Sequence, residues 1–159
     1  MTPDTNSLQE FHWLANMVET VDVGLVVLDL DYRVQVWNGF MENHSGMTAS
    51  QVHNQNLFDV IPALPEPWLR RKLETTTRLN IRTFTSWEQR PWVFQFGNPR
   101  PVTGTAEYMY QNMTISPLSG PDGQVQKLSL MIYDVTDLAA SKQALTLAEK
   151  ELAQLRGRS

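Results

Sequence analysis

The sequence predicts an α+β domain, two strands and then three more with short helices between them. Three observations carry that reading. Two short apolar strands meet at an acidic turn within "VGLVVLDLDYRVQVWNGF", Val23–Phe40. Several short helical segments with capping signals follow it. Beyond residue 80 the apolar residues recur with period two rather than about 3.6.

The 159 residues are 42% hydrophobic and 19% charged, enough for one packed core with an appendage at one or both ends. A formal net charge of −4 leaves no basic stripe to offset backbone phosphates, so no nucleic-acid partner is expected. Without cysteine there is no disulfide, no thiolate nucleophile and no Cys-ligated metal. The longest apolar run, Leu25–Leu28, is far too short to span a bilayer, and the N-terminus lacks a basic then apolar leader. A soluble, cytoplasmic domain with no membrane contact is the expectation.

The elements follow in order. Ser7-Leu8-Gln9-Glu10 fits a capping box, and Leu8, Phe11, Ala15 and Val18 recur behind it at helical spacing, with Leu14 and Val21 beside them. Strands are expected at Gly24–Asp29 and Tyr32–Trp37, joined by a turn at Asp29-Leu30-Asp31. Asn38–His44 reads as a short helix stopped by Gly46. Thr48-Ala49-Ser50-Gln51 is a second capping box, and "NLFDVIP" gives a further helical turn before Pro62. Pro67 suits the first turn of a longer helix to Leu79, with Trp68, Leu69, Leu73 and Thr76 toward one side. Strands are then expected at Ile81–Trp87, Tyr108–Ile115 and Gln124–Asp134, the last two separated by a Gly-Pro-Asp-Gly turn. The connection "EQRPWVFQFGNPRPVTGTAE" between the first two is long, and such loops are uncommon unless functional or partly structured.

The C-terminal segment has a different pattern. Leu138, Leu145 and Leu152 lie seven apart, and Ser141, Ala148 and Leu155 follow three later in each heptad. This seam predicts a helix that pairs with a second copy of itself, the alternative being a single helix packed back on the domain.

The order of helix, two strands, small helices, three strands and exit helix resembles a PAS domain, over nearly the whole chain. "GLVVLDLDYRVQVWN", "NLFDVIP" and above all "IYDVTD" carry the resemblance. It implies a five-stranded sheet cupped over short helices, flanked by an amphipathic N-terminal helix and a C-terminal signalling helix. The boundaries implied are a flanking helix at 1–21, a PAS domain at 22–136 and a coiled-coil helix at 137–159. "WNGFMENHSG", "WEQRPW", "RPVTG" and "MYQNMTISPL" resemble, more narrowly, the N-terminal PAS domains of bacterial diguanylate cyclases, in which a GGDEF domain follows the coiled coil. No GGDEF motif occurs in the chain, so the cyclase lies outside it.

The resemblance implies that Asp134 and Thr136 form a latch, bonding the domain's own strands so that changes in the pocket tilt the exit helix. The simpler reading is that the pair ends a strand and caps a helix starting near Asp137. Trp68, Trp87, Arg90, Trp92, Arg100, Tyr110 and Asn112 are candidate pocket residues. Guanidinium forks suit a carboxylate or phosphate, and tryptophans could wall an organic ligand. Against this, the arginines could pair with Glu88 or Glu107 and the aromatics could be core. His12, His44 and His53 lie outside the Trp68–Leu79 helix, which supplies the axial histidine in haem-binding PAS domains, so haem is not expected. Lack of cysteine excludes a cysteinyl–flavin adduct and leaves a non-covalent flavin open. The aspartates Asp29 and Asp31 suit turn chemistry better than catalysis, and no serine–histidine–acid set is evident. The expectation is a non-enzymatic sensory module that dimerises through its flanking helices, binds a small molecule or partner, and signals to a downstream cyclase. A ligand-free structural dimeriser, a flavin redox sensor and a histidine-kinase module are the alternatives.

Overall fold

The computed structural model describes residues 5–97 and 107–157. Five strands form one antiparallel sheet: β1 (Gly24–Asp29), β2 (Val34–Trp37), β3 (Thr83–Thr85), β4 (Gln111–Ser119) and β5 (Val125–Asp134), in the order β2-β1-β5-β4-β3. Registry sets Val26 opposite Leu130 and Leu130 opposite Ile115. Strand alternation therefore sends Val26, Leu28, Leu128, Leu130, Ile132, Met113 and Ile115 to one face, where all are buried.

Helices cover that face. They are α2 (Gly39–Ser45), α3 (Ala49–Val52), α4 (Leu57–Val60) and α5 (Glu66–Leu79), contributing Phe40, Met41, Val52, Leu57, Phe58, Leu69 and Leu73 to the core. Their ends are locally encoded. Asn38 caps α2, and Gly46 closes it at φ +74°, a conformation that costs a glycine little. Thr48 and Gln51 complete the capping box of α3, Asn56 caps α4, and a proline occupies the first turn of α5. Leu69, Leu73 and Thr76 are buried as the spacing predicts, whereas Trp68 is only partly covered.

Several boundaries differ from expectation, each for a local reason. The first helix, α1 (Thr5–Thr20), already includes Ser7, so the predicted capping box does not start it. The hairpin loop is Leu30–Tyr32 rather than a tighter turn. One Asp29 carboxylate oxygen accepts the amides of Asp31 and Arg33, and Tyr32 takes φ +64°, so β2 begins at Val34. β3 is short because Asn80 turns the chain at φ +52° before it and Ser86–Arg90 forms a turn after it. β4 starts at Gln111, not Tyr108, and runs on through Pro117. The Gly-Pro-Asp-Gly turn forms as expected, with Gly123 at φ +78° and Asp122 accepting the Gln124 amide.

A buried amide organises one end of this core. The Asn38 carboxamide oxygen accepts from Leu25 and Met41, and its nitrogen donates to the carbonyls of Val18 (2.9 Å) and Val23 (2.7 Å). One fully buried side chain thus joins the end of α1 to β1 and α2. The joint is tight: a Cβ on Gly39 would lie 2.5 Å from the Glu19 carbonyl oxygen. Farther back along α1, Leu8, Phe11, Trp13, Leu14 and Met17 are at least half exposed.

Replacing Asn38 by alanine leaves two backbone carbonyls and two backbone amides without their partners. Asn38→Ala should lower unfolding free energy by about 2–4 kcal/mol in urea denaturation and increase hydrogen exchange in the last turn of α1. A loss below 1 kcal/mol, roughly that of an exposed site, would show that the joint is not structural.

Candidate functional site

The last strand leads directly into α6 (Thr136–Arg156), and the junction has an unusual hydrogen-bond pattern. The β4–β5 ladder pairs Gln111 with Asp134. One residue further out, the Val135 amide still donates to the Tyr110 carbonyl at 2.9 Å. The Tyr110 amide finds a side chain instead, donating to Thr136 Oγ1 at 3.1 Å. That hydroxyl donates in turn to Asp134 Oδ1 at 2.6 Å, and the same oxygen accepts the Thr136 amide at 3.0 Å. Thr136 is therefore both the first residue of the helix and the last rung of the sheet.

The same contact puts the Asp134 carboxylate on the first amide of the helix, which starts one residue before the place expected near Asp137. The helix begins at Thr136, its N-cap position is Val135, and no side chain caps it there. Asp134 acts one position earlier, and its carboxylate lies where a helix N-terminus favours negative charge. Thr136 and Ala139 are buried, so the first turn is held to the domain.

Farther along, α6 rests on an aromatic cluster. Trp87 meets Tyr110 edge-on at 5.6 Å, and Trp92 packs against Tyr108 at 5.0 Å and Tyr110 at 6.3 Å. Gln143 Nε2 donates to the Tyr110 hydroxyl at 3.3 Å, and Lys142 forms an ion pair with Glu88. Trp87, Glu88, Lys142, Gln143, Thr146 and Leu147 line a groove of about 450 Å³. Thr136, Ala139 and Gln143, three and four apart, share a side of the helix that faces away from Leu138, Leu145 and Leu152, whereas Lys142, four after Leu138 and three before Leu145, borders the leucines. Those three leucines and Leu155 are 54–64% exposed, and Ser141 and Ala148 are also exposed.

The predicted pocket residues divide into two groups. Trp87, Trp92 and Tyr110 form the cluster under α6. Trp68 and Arg90 form another, with the guanidinium stacked 4.5 Å from the indole centre. Arg90 does not pair with Glu88, because Glu88 is taken by Lys142. Asn112 serves the backbone, its Oδ1 accepting the Trp87 amide at 2.9 Å. Arg100 lies outside the described residues. Trp68, Trp87 and Trp92 are half-buried, whereas the interior holds aliphatic, methionine and phenylalanine side chains together with Trp37.

Sequence reasoning missed Gln111. It points inward beside Met113, is 2% exposed, accepts from the amides of Val93 and Phe94 and donates to the Phe94 carbonyl at 2.8 Å. The signal was its place in the alternation of "QNMTI". His44 stacks between Phe40 and Phe96, and His12 and His53 are exposed. Among the described residues no three His, Cys, Asp or Glu side chains gather as metal ligands, and no helix is long and apolar enough to cross a membrane.

A cupped antiparallel sheet whose last strand runs directly into a helix defines a class, and comparison identifies it. The family model described as the PAS fold matches residues 14–135, and the chain belongs to the PAS family. It is a PAS sensory domain, a regulatory module. Among solved structures it is similar to a sensory box sensor histidine kinase from Vibrio cholerae, at 23% identity and a TM-score of 0.59, covering 83% of this chain and 98% of that one. An RNA-binding Light-Oxygen-Voltage receptor shares 16% identity at a TM-score of 0.64, covering 99% of this chain and 41% of the receptor. The PAS domain of an HTR-like protein from Haloarcula marismortui shares 12% at 0.56, with 80% and 98% covered. At these identities the likeness is one of fold. No curated protein matches the sequence.

Thr136→Val keeps the shape of the side chain and removes its hydroxyl. It should speed hydrogen exchange at Tyr110 and in the first turn of α6, with a stability loss of about 1–2 kcal/mol. Unchanged protection at both places would mean that the junction does not hold the helix.

Proposed function

We propose that this chain is the sensory and dimerisation module of a larger cytoplasmic signalling protein. Its parts are a flanking helix at 1–21, the PAS domain at 22–136 and a signalling helix at 137–159. Two copies pair in parallel through the flanking helices, and the exit helices lead to a downstream GGDEF diguanylate cyclase domain. The observation that carries this reading is the two-sided character of α6. One side is bonded to the sheet through Thr136 and to the aromatic cluster through Gln143, while the opposite side leaves four seam leucines exposed. The cyclase as output rests on the sequence resemblance of "WNGFMENHSG" and "MYQNMTISPL".

The mechanism is a population shift. A small molecule or partner acting at Trp87, Trp92 and Tyr110 favours one sheet–helix arrangement, and the paired helices change angle or register. The ligand biases this only through its differential affinity for the two arrangements, typically about 1–3 kcal/mol. A second reading, a ligand-free dimeriser, draws support from the interior. Among the described residues no buried side-chain nitrogen or oxygen lacks a partner that a polar ligand would supply.

Sedimentation equilibrium tests the pairing. The native chain should be a dimer and Leu145→Glu/Leu152→Glu a folded monomer, since a carboxylate at each seam position meets its copy across the interface. A native monomer, or a double variant that still dimerises, would remove this arrangement. In a protein carrying the GGDEF domain, Asp134→Ala should abolish signal-dependent cyclase activity while the domain stays folded. Retained regulation in that variant would remove the latch.

A further inference from the structure

We propose that the groove between α5 and β3 binds a small oxyanion, the carboxylate or phosphate group of an organic metabolite. Trp68, Arg71, Lys72, Thr75 and Thr83 line it, with a volume of about 250 Å³. Its charge is concentrated. Residues 66–90 carry Arg70, Arg71, Lys72, Arg78, Arg82 and Arg90 against Glu66, Glu74 and Glu88, in a chain whose net charge is −4. Arg70 is neutralised by Glu66 at 2.9 Å, but Arg71, Lys72 and Arg90 have no carboxylate partner among the described residues.

Trp68 holds two of these cations. Its ring has the Arg90 guanidinium at 4.5 Å and the Lys72 ammonium at 5.7 Å. Holding like charges against one indole is unfavourable in Coulomb terms, and an anion bound in the groove beside Lys72 offsets it. The hydroxyls are also arranged for it. Thr76 donates to the Lys72 carbonyl, so in its 3.2 Å contact with Thr83 it is the acceptor and the Thr83 proton is committed. Thr77 donates to the Leu73 carbonyl. Thr75, half-buried on the groove wall, makes no such bond and retains a free donor. An Arg fork, an ammonium and a hydroxyl around a small concavity match the acceptor geometry of a carboxylate or phosphate.

This site lies on α5 and does not depend on α6, on pairing or on the output domain, so its failure would leave the proposed function standing. The test is NMR titration of the ¹⁵N-labelled chain with citrate and, separately, pyrophosphate, holding ionic strength constant with sodium chloride. Saturable shifts should appear at the Trp68 indole N–H, at the amides of Lys72–Thr76 and at Thr83. Arg71→Gln/Lys72→Gln should weaken binding at least about tenfold, whereas Lys127→Gln, an exposed cation on β5, should not change it. Tighter binding of citrate or of pyrophosphate identifies the carboxylate or the phosphate class. Shifts that fail to saturate or spread over unrelated cations, or a double variant with native affinity, would overturn the site.

Discussion

The Thr136 hydroxyl occupies the position on which the rest of this structure depends. A sheet that ends in a helix must dispose of the backbone groups that the ladder no longer pairs. Here the Tyr110 amide is satisfied by the first residue of the helix, and the proton of that hydroxyl is fixed on Asp134. The direction in which α6 leaves is thereby bound to β4 as well as β5. The 21 residues of α6 extend about 30 Å from that point, so a small tilt at its base becomes a large displacement at its end. A charge-assisted bond at the base is stronger than a neutral one and holds the direction well.

Two buried amides play a comparable part at other places. Asn38 joins the end of α1 to β1 and α2, and Gln111 fixes the Val93–Phe94 segment over the inner face of the sheet. Both flanking helices are thus tied to the domain at one end and bare along most of their length. Apolar side chains on α1 and α6 account for most of the large exposed hydrophobics. A monomer would leave them in water, and burying them against a second copy is favourable by roughly 25 cal/mol per Å².

Legibility of the fold followed the range of the interactions. The Thr48–Gln51 box, Gly46 and the proline of α5 act within a few residues, and all appear where the spacing places them. The hairpin loop was misjudged because the Asp29 carboxylate, not the turn dipeptide, sets its length. The start of β4 was misjudged because Tyr110 spends its hydrogen bonds on residues 135 and 136, which no local pattern reveals. At the candidate site the Asp134–Thr136 pair was legible as a motif, yet its partner was not. The aromatic residues separated into two groups because packing across the sheet decides which rings meet. The heptad seam was readable from spacing, whereas the contacts of α6 with the domain were not, since Lys142 and Gln143 find their partners more than thirty residues away.

The central claim is that the Tyr110–Thr136–Asp134 bonds set the direction of α6. The chain has no cysteine, so Lys127→Cys/Glu149→Cys provides two labelling sites, one on β5 and one on α6. Pulsed electron-spin distance measurement on this labelled chain, diluted with unlabelled protein, reads the helix direction within one copy. The expected result is a single narrow distance that broadens or shifts when Thr136→Val is added. The same narrow distance with and without the hydroxyl would contradict the account.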